Sequence, residues 1–459
     1  MSIPQRLNPS QESLCQFYVG KNIHDVPKPA LVLDQAKMRR HCQSLSAAAE
    51  ALGVGFRAHI KTHKTVEGTR IQMGESEDVK LVVSTVAEIE HLLPLLTDYQ
   101  RQGRQVNVLY GIPLPQSQVS RLATAGQKLG AGSLSVLLDH ADQLELLSRF
   151  RDEAGFPAGV YVKVDTGYHR AGLPPWGINK DGLLLQLVTM DMQGTANFIG
   201  LYSHSSLSYN DSTPAQAMAN LEGEISGCME AVAKNTQFFP RNRTFVISVG
   251  ASPQVSSVEN LVAEEGELSA AAQSLRAAIQ SVADGGPSGI QTNLELHAGV
   301  YSILDVQQLA TKSKANLGGY GDEIAISVVS EVCSVYNNGE RAQPEALVSV
   351  GVLGLGREPC AAYKGWGVVD RSALSPEIMA GRQLIVSRVS QEHSILAWEA
   401  DATSTAVMAL PLTVGQSIRI YPNHACITGA LYGWYLVVDS DISGTETQVV
   451  DVWCRASGW

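Results

Sequence analysis

Val54-Gly55-Phe56-Arg57-Ala58-His59-Ile60-Lys61-Thr62-His63-Lys64-Thr65 sets the reading of the whole chain. Its first part has the pattern of a strand, 54–61, and side chains alternate across a strand. Arg57, His59 and Lys61 therefore share one face. A basic surface strand is the plain reading of such a segment taken alone. What precedes and follows it changes that reading.

Upstream, the apolar run Ala30-Leu31-Val32-Leu33 leads into Asp34, a candidate N-cap for a helix over 35–52, with Gly53 as its C-terminal stop. Downstream, strand-like runs at 79–84, 106–110, 134–138, 159–164, 198–204, 244–248 and 293–296 alternate with helix-like runs at 85–96, 115–129, 140–154 and 214–235. Near-continuous apolar strands alternating with helices argue for a parallel sheet. Roughly eight such units over about 250 residues predict a (β/α)8 barrel, with a doubly wound sheet as the alternative. After about Leu309 the runs become β-rich and punctuated by glycine: 324–332, 346–352, 383–389, 417–421, 435–438 and 447–453. The predicted domains are a barrel over 28–308 and an all-β domain over 309–459 that also takes in 1–27. The stretch 254–289 reads as an inserted helix and loop.

The chain has 459 residues, 44% hydrophobic and 17% charged, enough for both cores. A net charge of -11 argues against a nucleic-acid partner. No run reaches membrane-spanning length. The start Met1-Ser2-Ile3-Pro4-Gln5-Arg6 lacks the apolar region of a signal peptide, so a cytoplasmic protein is expected. The 7 cysteines are scattered, odd in number and without a C-x-x-C pair, as in a reducing compartment.

Functional residues of a barrel gather where its strands end. Five strand ends here are polar: Lys61 with His63; Asp165 to Gly172, containing Arg170; Tyr202-Ser203-His204; Ser248 to Pro253; and His297 to Tyr301. Crowded cations disfavour one another's charge, and an uncharged lysine amine can form a Schiff base, which is what a pyridoxal phosphate enzyme needs. Ser248, Gly250, Ser252, Gly299 and Tyr301 lie in turns whose N–H and hydroxyl groups can cradle a phosphate. Arg170 offers a fixed fork of donors. In Pro422-Asn423-His424-Ala425-Cys426, His424 and Cys426 stand two apart and point the same way if the segment is extended. Imidazole and thiolate suit zinc, and a two-residue set leaves positions open, as a catalytic metal site does.

Together these segments resemble the fold type III pyridoxal phosphate enzymes, and within them the zinc-dependent D-serine dehydratases and related D-threonine aldolases. The resemblance is carried by R-A-H-I-K-T-H-K-T, V-L-Y-G-I-P, V-D-T-G-Y-H-R-A-G, S-V-G-A-S-P, E-L-H-A-G-V-Y, R-V-S-Q-E-H and P-N-H-A-C-I-T-G-A, over roughly residues 28 to 440. It implies an alanine racemase-like barrel followed by a β domain, usually as a homodimer. It further implies Lys61 as the cofactor-binding lysine, with Lys61 and His63 catalytic. Ser248, Gly250, Ser252, Gly299 and Tyr301 would lie near the phosphate, Arg170 and Tyr202 near the pyridine ring, and His424 and Cys426 on zinc. The implied reaction is β-elimination from D-serine: Lys61 removes the Cα proton, zinc polarises the β-hydroxyl, and pyruvate and ammonia result. The H-x-C pair favours this dehydratase, since the aldolases show H-x-D. Retro-aldol cleavage of β-hydroxy D-amino acids, or dehydration of another 3-hydroxy D-amino acid, are the alternatives. A racemase needs no H-x-C pair, and pyridoxal phosphate homeostasis proteins lack the large β domain. The chain departs from the family pattern at Ser205-Ser206-Leu207, at Gly351-Val352-Leu353-Gly354 and at Ser394.

Overall fold

The computed structural model describes residues 9–263, 268–371, 382–400 and 408–459. The N-terminal stretch 1–6 and residues 264–267 of the 254–289 segment lie outside the described residues. The chain forms two compact units.

Strand β1 (Ala30–Asp34) precedes the eight strands of one unit. These are β2 (Gly55–His59), β3 (Asp78–Val83), β4 (Gln105–Pro113), β5 (Leu134–Leu138), β6 (Gly159–Lys163), β7 (Asn197–Tyr202), β8 (Phe245–Val249) and β9 (Thr292–Ala298). They pair in chain order, all parallel, and β2 closes on β9 with Phe56 opposite Leu296. Parallel strands covered on both faces have no solvent side, which is why β5 and β6 are buried at every position. Helices follow the strands as predicted, at Val86–Arg101, Val119–Leu129, Leu144–Ala154 and Pro214–Lys234. Thr85 and Thr213 cap the first and last by accepting the N–H of Glu88 and Gln216. A further helix, Leu183–Met192, follows the Pro174-Pro175 turn that masked it in the sequence.

The barrel interior is polar at its centre. Arg57, 1% exposed, donates through Nε to Glu295 Oε1 at 2.7 Å and through Nη1 to Asn107 Oδ1 at 2.8 Å. Its Nη2 reaches Tyr161 Oη at 3.2 Å. Around this pair Val82, Leu109, Leu137, Tyr161 and Tyr202 form an apolar cluster. A buried guanidinium is tolerable only because each of its faces meets an acceptor.

The other unit contains a nine-stranded sheet with the order β11-β14-β13-β12-β15-β10-β1-β16-β17. Its strands are β10 (Ile326–Tyr336), β11 (Glu345–Val348), β12 (Gly367–Val369), β13 (Leu384–Val389), β14 (Ser394–Trp398), β15 (Ser417–Pro422), β16 (Trp434–Val438) and β17 (Asp451–Cys454). β11 also pairs with β10, so six of the strands close on themselves. The run Ala30-Leu31-Val32-Leu33, read in the sequence as heading the barrel series, belongs here. It lies antiparallel to β10 and parallel to β16. Asp34 and the helix Gln35–Ala51 are as expected, with Asp34 Oδ1 accepting the N–H of Ala36. Among the described residues no helix is long and apolar enough to cross a membrane, and the cysteines are free thiols.

Candidate active site

Strand β2 ends at His59, earlier than the sequence suggested, and Lys61 stands in the turn beyond it. The ladder runs one residue further, with Ile60 N–H donating to Val82 O at 3.1 Å. The turn then closes through Lys64 N–H to Ile60 O at 2.9 Å. Lys64 takes a left-handed φ of 54°, and its amine pairs with buried Glu88 Oε1 at 3.0 Å. Thr65 caps the next helix, Val66–Met73, by accepting the Gly68 N–H. His63 is fully buried in that cap: Nδ1 accepts the Thr65 N–H at 3.1 Å, and Nε2 meets Gln72 Oε1 at 2.8 Å. The basic run is therefore a turn-and-cap device that holds Lys61 at the barrel end.

The strand ends of β7, β8 and β9 converge near it. The His297 ring stacks on Tyr202, with centroids 4.2 Å apart and planes 5° from parallel, and on His204 at 5.6 Å. His204 Nδ1–H donates to Gly250 O at 2.5 Å. His59, His204 and His297 all titrate well below the ordinary histidine value. Burial is the leading cause for each. Lys61 comes next for His59 and His204, and Lys163 for His297. They are neutral rings at physiological pH. Lys163, 5% exposed, lies 5.1 Å from the Tyr202 ring centre, and burial lowers its own pKa against the pull of Glu224.

The predicted cofactor residues divide. Gly250 has a φ of 145°, and a Cβ there would sit 2.4 Å from His297 O and 2.5 Å from Val255 Cγ2. A Cβ on Gly299 would sit 2.9 Å from His59 O. Both positions form a close backbone cradle that only glycine fits. Ser252 Oγ accepts the Gly299 N–H at 3.1 Å, tying the two turns together. Ser248 is fully buried, and its hydroxyl donates to Glu295 Oε1 at 2.9 Å, away from any solvent-facing ligand. Arg170 is exposed, its guanidinium 5.2 Å from the Tyr168 ring centre. Tyr301 lies in the other unit, buried, with a hydrogen bond to Cys42.

Glu224 escaped the sequence reading. It sits mid-helix in Pro214–Lys234, 2% exposed, and accepts from Ser203 Oγ at 3.0 Å, from the Ser205 N–H and from Gln254 Nε2. Its signal was a carboxylate on the apolar stripe Leu221, Ile225, Cys228. Burial raises it to about 7, against the Ser203 and Ser205 hydrogen bonds, the Lys163 charge and the Gln254 amide. The folded carboxyl thus keeps its proton up to about 7, while an unfolded one releases it near 4.5. Between these values the folded state holds more protons, so stability falls as pH rises. Going from about pH 5 to about pH 8 should cost the wild type about 2.5 kcal/mol more than Glu224→Gln. Urea unfolding at the two pH values measures this, and equal losses would show that Glu224 stays ionised throughout.

His424 and Cys426 form a second centre, in the β unit. The segment is not extended there: His424 is the N-cap of the helix Ala425–Ala430, and Cys426 is already helical. Their side chains still meet in a hydrogen bond. Burial opposes charge on His424, but Cys426, then Asp305 and Glu358, raise it to about 9. The corner is held firmly. Asp305 Oδ2 accepts the Ala425 N–H at 2.7 Å, and Asn423 Nδ2 donates to Gly365 O at 2.8 Å. Glu358 Oε2 lies 3.7 Å from His424 Nδ1. Among the described residues no group of three or more His, Cys, Asp or Glu gathers to hold a metal.

A closed parallel barrel with a lysine in the turn after its first strand and a glycine cradle beside neutral histidines is of the alanine racemase class. Residues 33–263 match the alanine racemase N-terminal domain family. Residues 325–438 match a serine dehydratase domain family. The D-serine dehydratase of Schizosaccharomyces pombe is 32% identical over 99% of this chain and 97% of its own. The D-threo-3-hydroxyaspartate dehydratase of a Delftia species is 27% identical over 94% and 97%. A solved structure of that dehydratase, a cysteine-to-alanine mutant in the metal-free form, superposes with a TM-score of 0.69 at 25% identity, covering 96% of this chain and 100% of that one. The chain belongs to the D-serine dehydratase family.

Proposed function

We propose that this protein is a lyase that eliminates water from D-serine to give pyruvate and ammonia. It would use pyridoxal phosphate held in the barrel by Lys61 and zinc held by His424 and Cys426. The observation that carries the reading is the near-full-length likeness to the S. pombe D-serine dehydratase. The residues present fit the cofactor. The Gly250 and Gly299 turns pack against the His297 and His59 carbonyls with no space for a Cβ, and Ser252 ties them into one backbone platform at the barrel end.

Bound pyridoxal phosphate supplies the electron sink, and zinc supplies Lewis acidity toward a hydroxide leaving group. The chain does the rest. Lys61 holds the cofactor and then carries the Cα proton. The turns at Gly250, Ser252 and Gly299 receive the phosphate, and Arg170 and Tyr202 border the ring. The neutral histidines keep added positive charge away from the lysine. His63, with Nδ1 engaged at Thr65 and Nε2 at Gln72, acts as a positioning residue for Lys61. The His424–Cys426 contact supports the metal pair, and a cysteine-to-alanine mutant of a D-threo-3-hydroxyaspartate dehydratase in a metal-free form is consistent with it. The family resemblance supports a homodimer in the cytoplasm.

The test is pyruvate release from D-serine by purified protein, with and without a zinc chelator. Release should stop on chelation and return with zinc. Cys426→Ala should lose zinc and elimination while keeping the absorbance of bound cofactor, and full activity in that variant would refute the metal step. A second reading rests on the Delftia relative and on the Ser205-Ser206-Leu207 departure: a 3-hydroxy D-amino acid with a further carboxylate. Faster turnover of D-threo-3-hydroxyaspartate than of D-serine would favour it.

A further inference from the structure

We propose that Glu224 is a positioning residue: its carboxyl group bolts the loops after β7 and β8 together and so sets the Gly250–Ser252 turn to receive the cofactor phosphate. This role presupposes the cofactor reading above and falls on a residue outside the predicted site.

Glu224 stands on the buried face of the helix Pro214–Lys234, with Leu221, Ile225 and Cys228. Both of its oxygens are taken. Oε1 accepts the Ser203 hydroxyl at 3.0 Å and the Ser205 N–H, the two residues that flank His204 after β7. Oε2 accepts the Gln254 amide, in the one-turn helix Ser252–Ser256 after β8. That turn of helix begins at Ser252, whose hydroxyl joins the Gly250 turn to Gly299. Ser203 Oγ also lies 2.9 Å from Thr166 Oγ1, in the loop after β6. Gly227, three residues along the same helix face, lets the helix close on that loop: a Cβ there would sit 2.8 Å from Thr166 Cγ2. Helix, β6 loop and β7 loop form the fixed side of the bolt, and Gln254 is its reach into the phosphate turn.

Burying an ionisable carboxyl is costly, and an apolar side chain on that stripe would avoid the cost. What an apolar side chain cannot supply is directed bonds to two loops at once. The bonds also survive a change of protonation, which falls at about 7. Ionised, Glu224 accepts the Ser203 hydroxyl. Protonated, it donates to Ser203 Oγ, whose own hydrogen turns to Thr166 Oγ1. The Ser205 and Gln254 bonds stand in both states. A glutamine at 224 can meet the same partners. Its oxygen accepts from Ser203 and Ser205, and its amide donates to Gln254 Oε1, which is buried without a partner and comes into place when that amide turns over. The role therefore belongs to the bonds and not to the charge.

Titration of the cofactor-free, full-length protein with pyridoxal phosphate and with pyridoxal, followed by the absorbance of the bound form, tests this. Both ligands use Lys61 and only one carries a phosphate, so the ratio of their affinities measures what the phosphate turn contributes. Glu224→Leu should lower that ratio about tenfold or more, with pyridoxal binding close to that of the wild type. Gln254→Met removes the single bond into the phosphate turn and should do the same, which keeps the test open if Glu224→Leu does not fold. Glu224→Gln should keep the wild-type ratio. A folded Glu224→Leu or Gln254→Met protein with the wild-type ratio would overturn the inference. Equal losses for the two ligands would also overturn it, since they mark a merely structural role. Wild-type protein that takes up neither ligand would overturn the cofactor reading itself.

Discussion

Lys61→Ala releases no measurable pyruvate from D-serine and lacks the near-visible absorbance of a protein-bound cofactor: that is the largest effect expected of any single substitution here. Lys61 is asked to do two things, to hold the cofactor covalently and to carry the Cα proton, and no neighbour can take either over. Lys163 is buried beneath Tyr202 and its charge is drawn to Glu224. Lys64 is tied to Glu88 at 3.0 Å. The loss should be about 10³-fold or more in kcat, and much of the cofactor affinity should go with it. Because Lys61 is half-exposed in a turn held by backbone bonds and by the Thr65 cap, its removal leaves the fold alone. Thermal unfolding of the cofactor-free proteins should therefore coincide. A variant that retains the absorbance band would show that another amine holds the cofactor.

Arg57→Leu should instead be felt in stability. It strips the nearer of two cations from Glu295, which is 2% exposed and would be left as a buried carboxylate with only Lys80 at 3.7 Å. Removing one partner of a buried pair costs roughly 3–5 kcal/mol, a large part of the total stability of an ordinary domain. The double variant Arg57→Leu/Glu295→Leu removes both charges and should recover most of that loss. Urea unfolding of the three proteins decides it. A double variant as unstable as the single one would mean that packing against Asn107 and Tyr161, and not charge, is what Arg57 contributes.

Much of this was legible in the sequence, for reasons that differ by element. The barrel strands announced themselves because a strand buried on both faces has nothing to alternate with, and β5 reads as the plain run Leu134-Ser135-Val136-Leu137-Leu138. β1 misled for the same reason. An apolar run leading into a capped helix is the local signature of a barrel unit, and only its pairing with β10 and β16, far along the chain, assigns it elsewhere. β12 is three residues long and β14 begins in a turn, so neither carries enough pattern to be seen. Strand ends exposed Lys61, Tyr202, Gly250 and Gly299, because polar groups after apolar runs stand out. The roles of Arg57 and Ser248 did not show, since each depends on Glu295, a partner far along the chain. Glu224 was hidden by helical periodicity, which counts a lone carboxylate as surface.

The position of β1 also bears on how the protein is made. Val32 ends beside Leu436, a partner roughly 400 residues later in the chain. At ribosomal rates of about 5–20 residues per second, that partner is absent for about 20–80 s after β1 emerges. The barrel strands are complete at residue 298, so they can assemble while the chain is still tethered to the ribosome. The apolar segment ahead of them waits unpaired until β10, which begins at Ile326, has emerged. Slowing synthesis between the last barrel strand and β10 should therefore raise aggregation of nascent chains, and a chaperone that shields an extended N-terminal strand should suppress it.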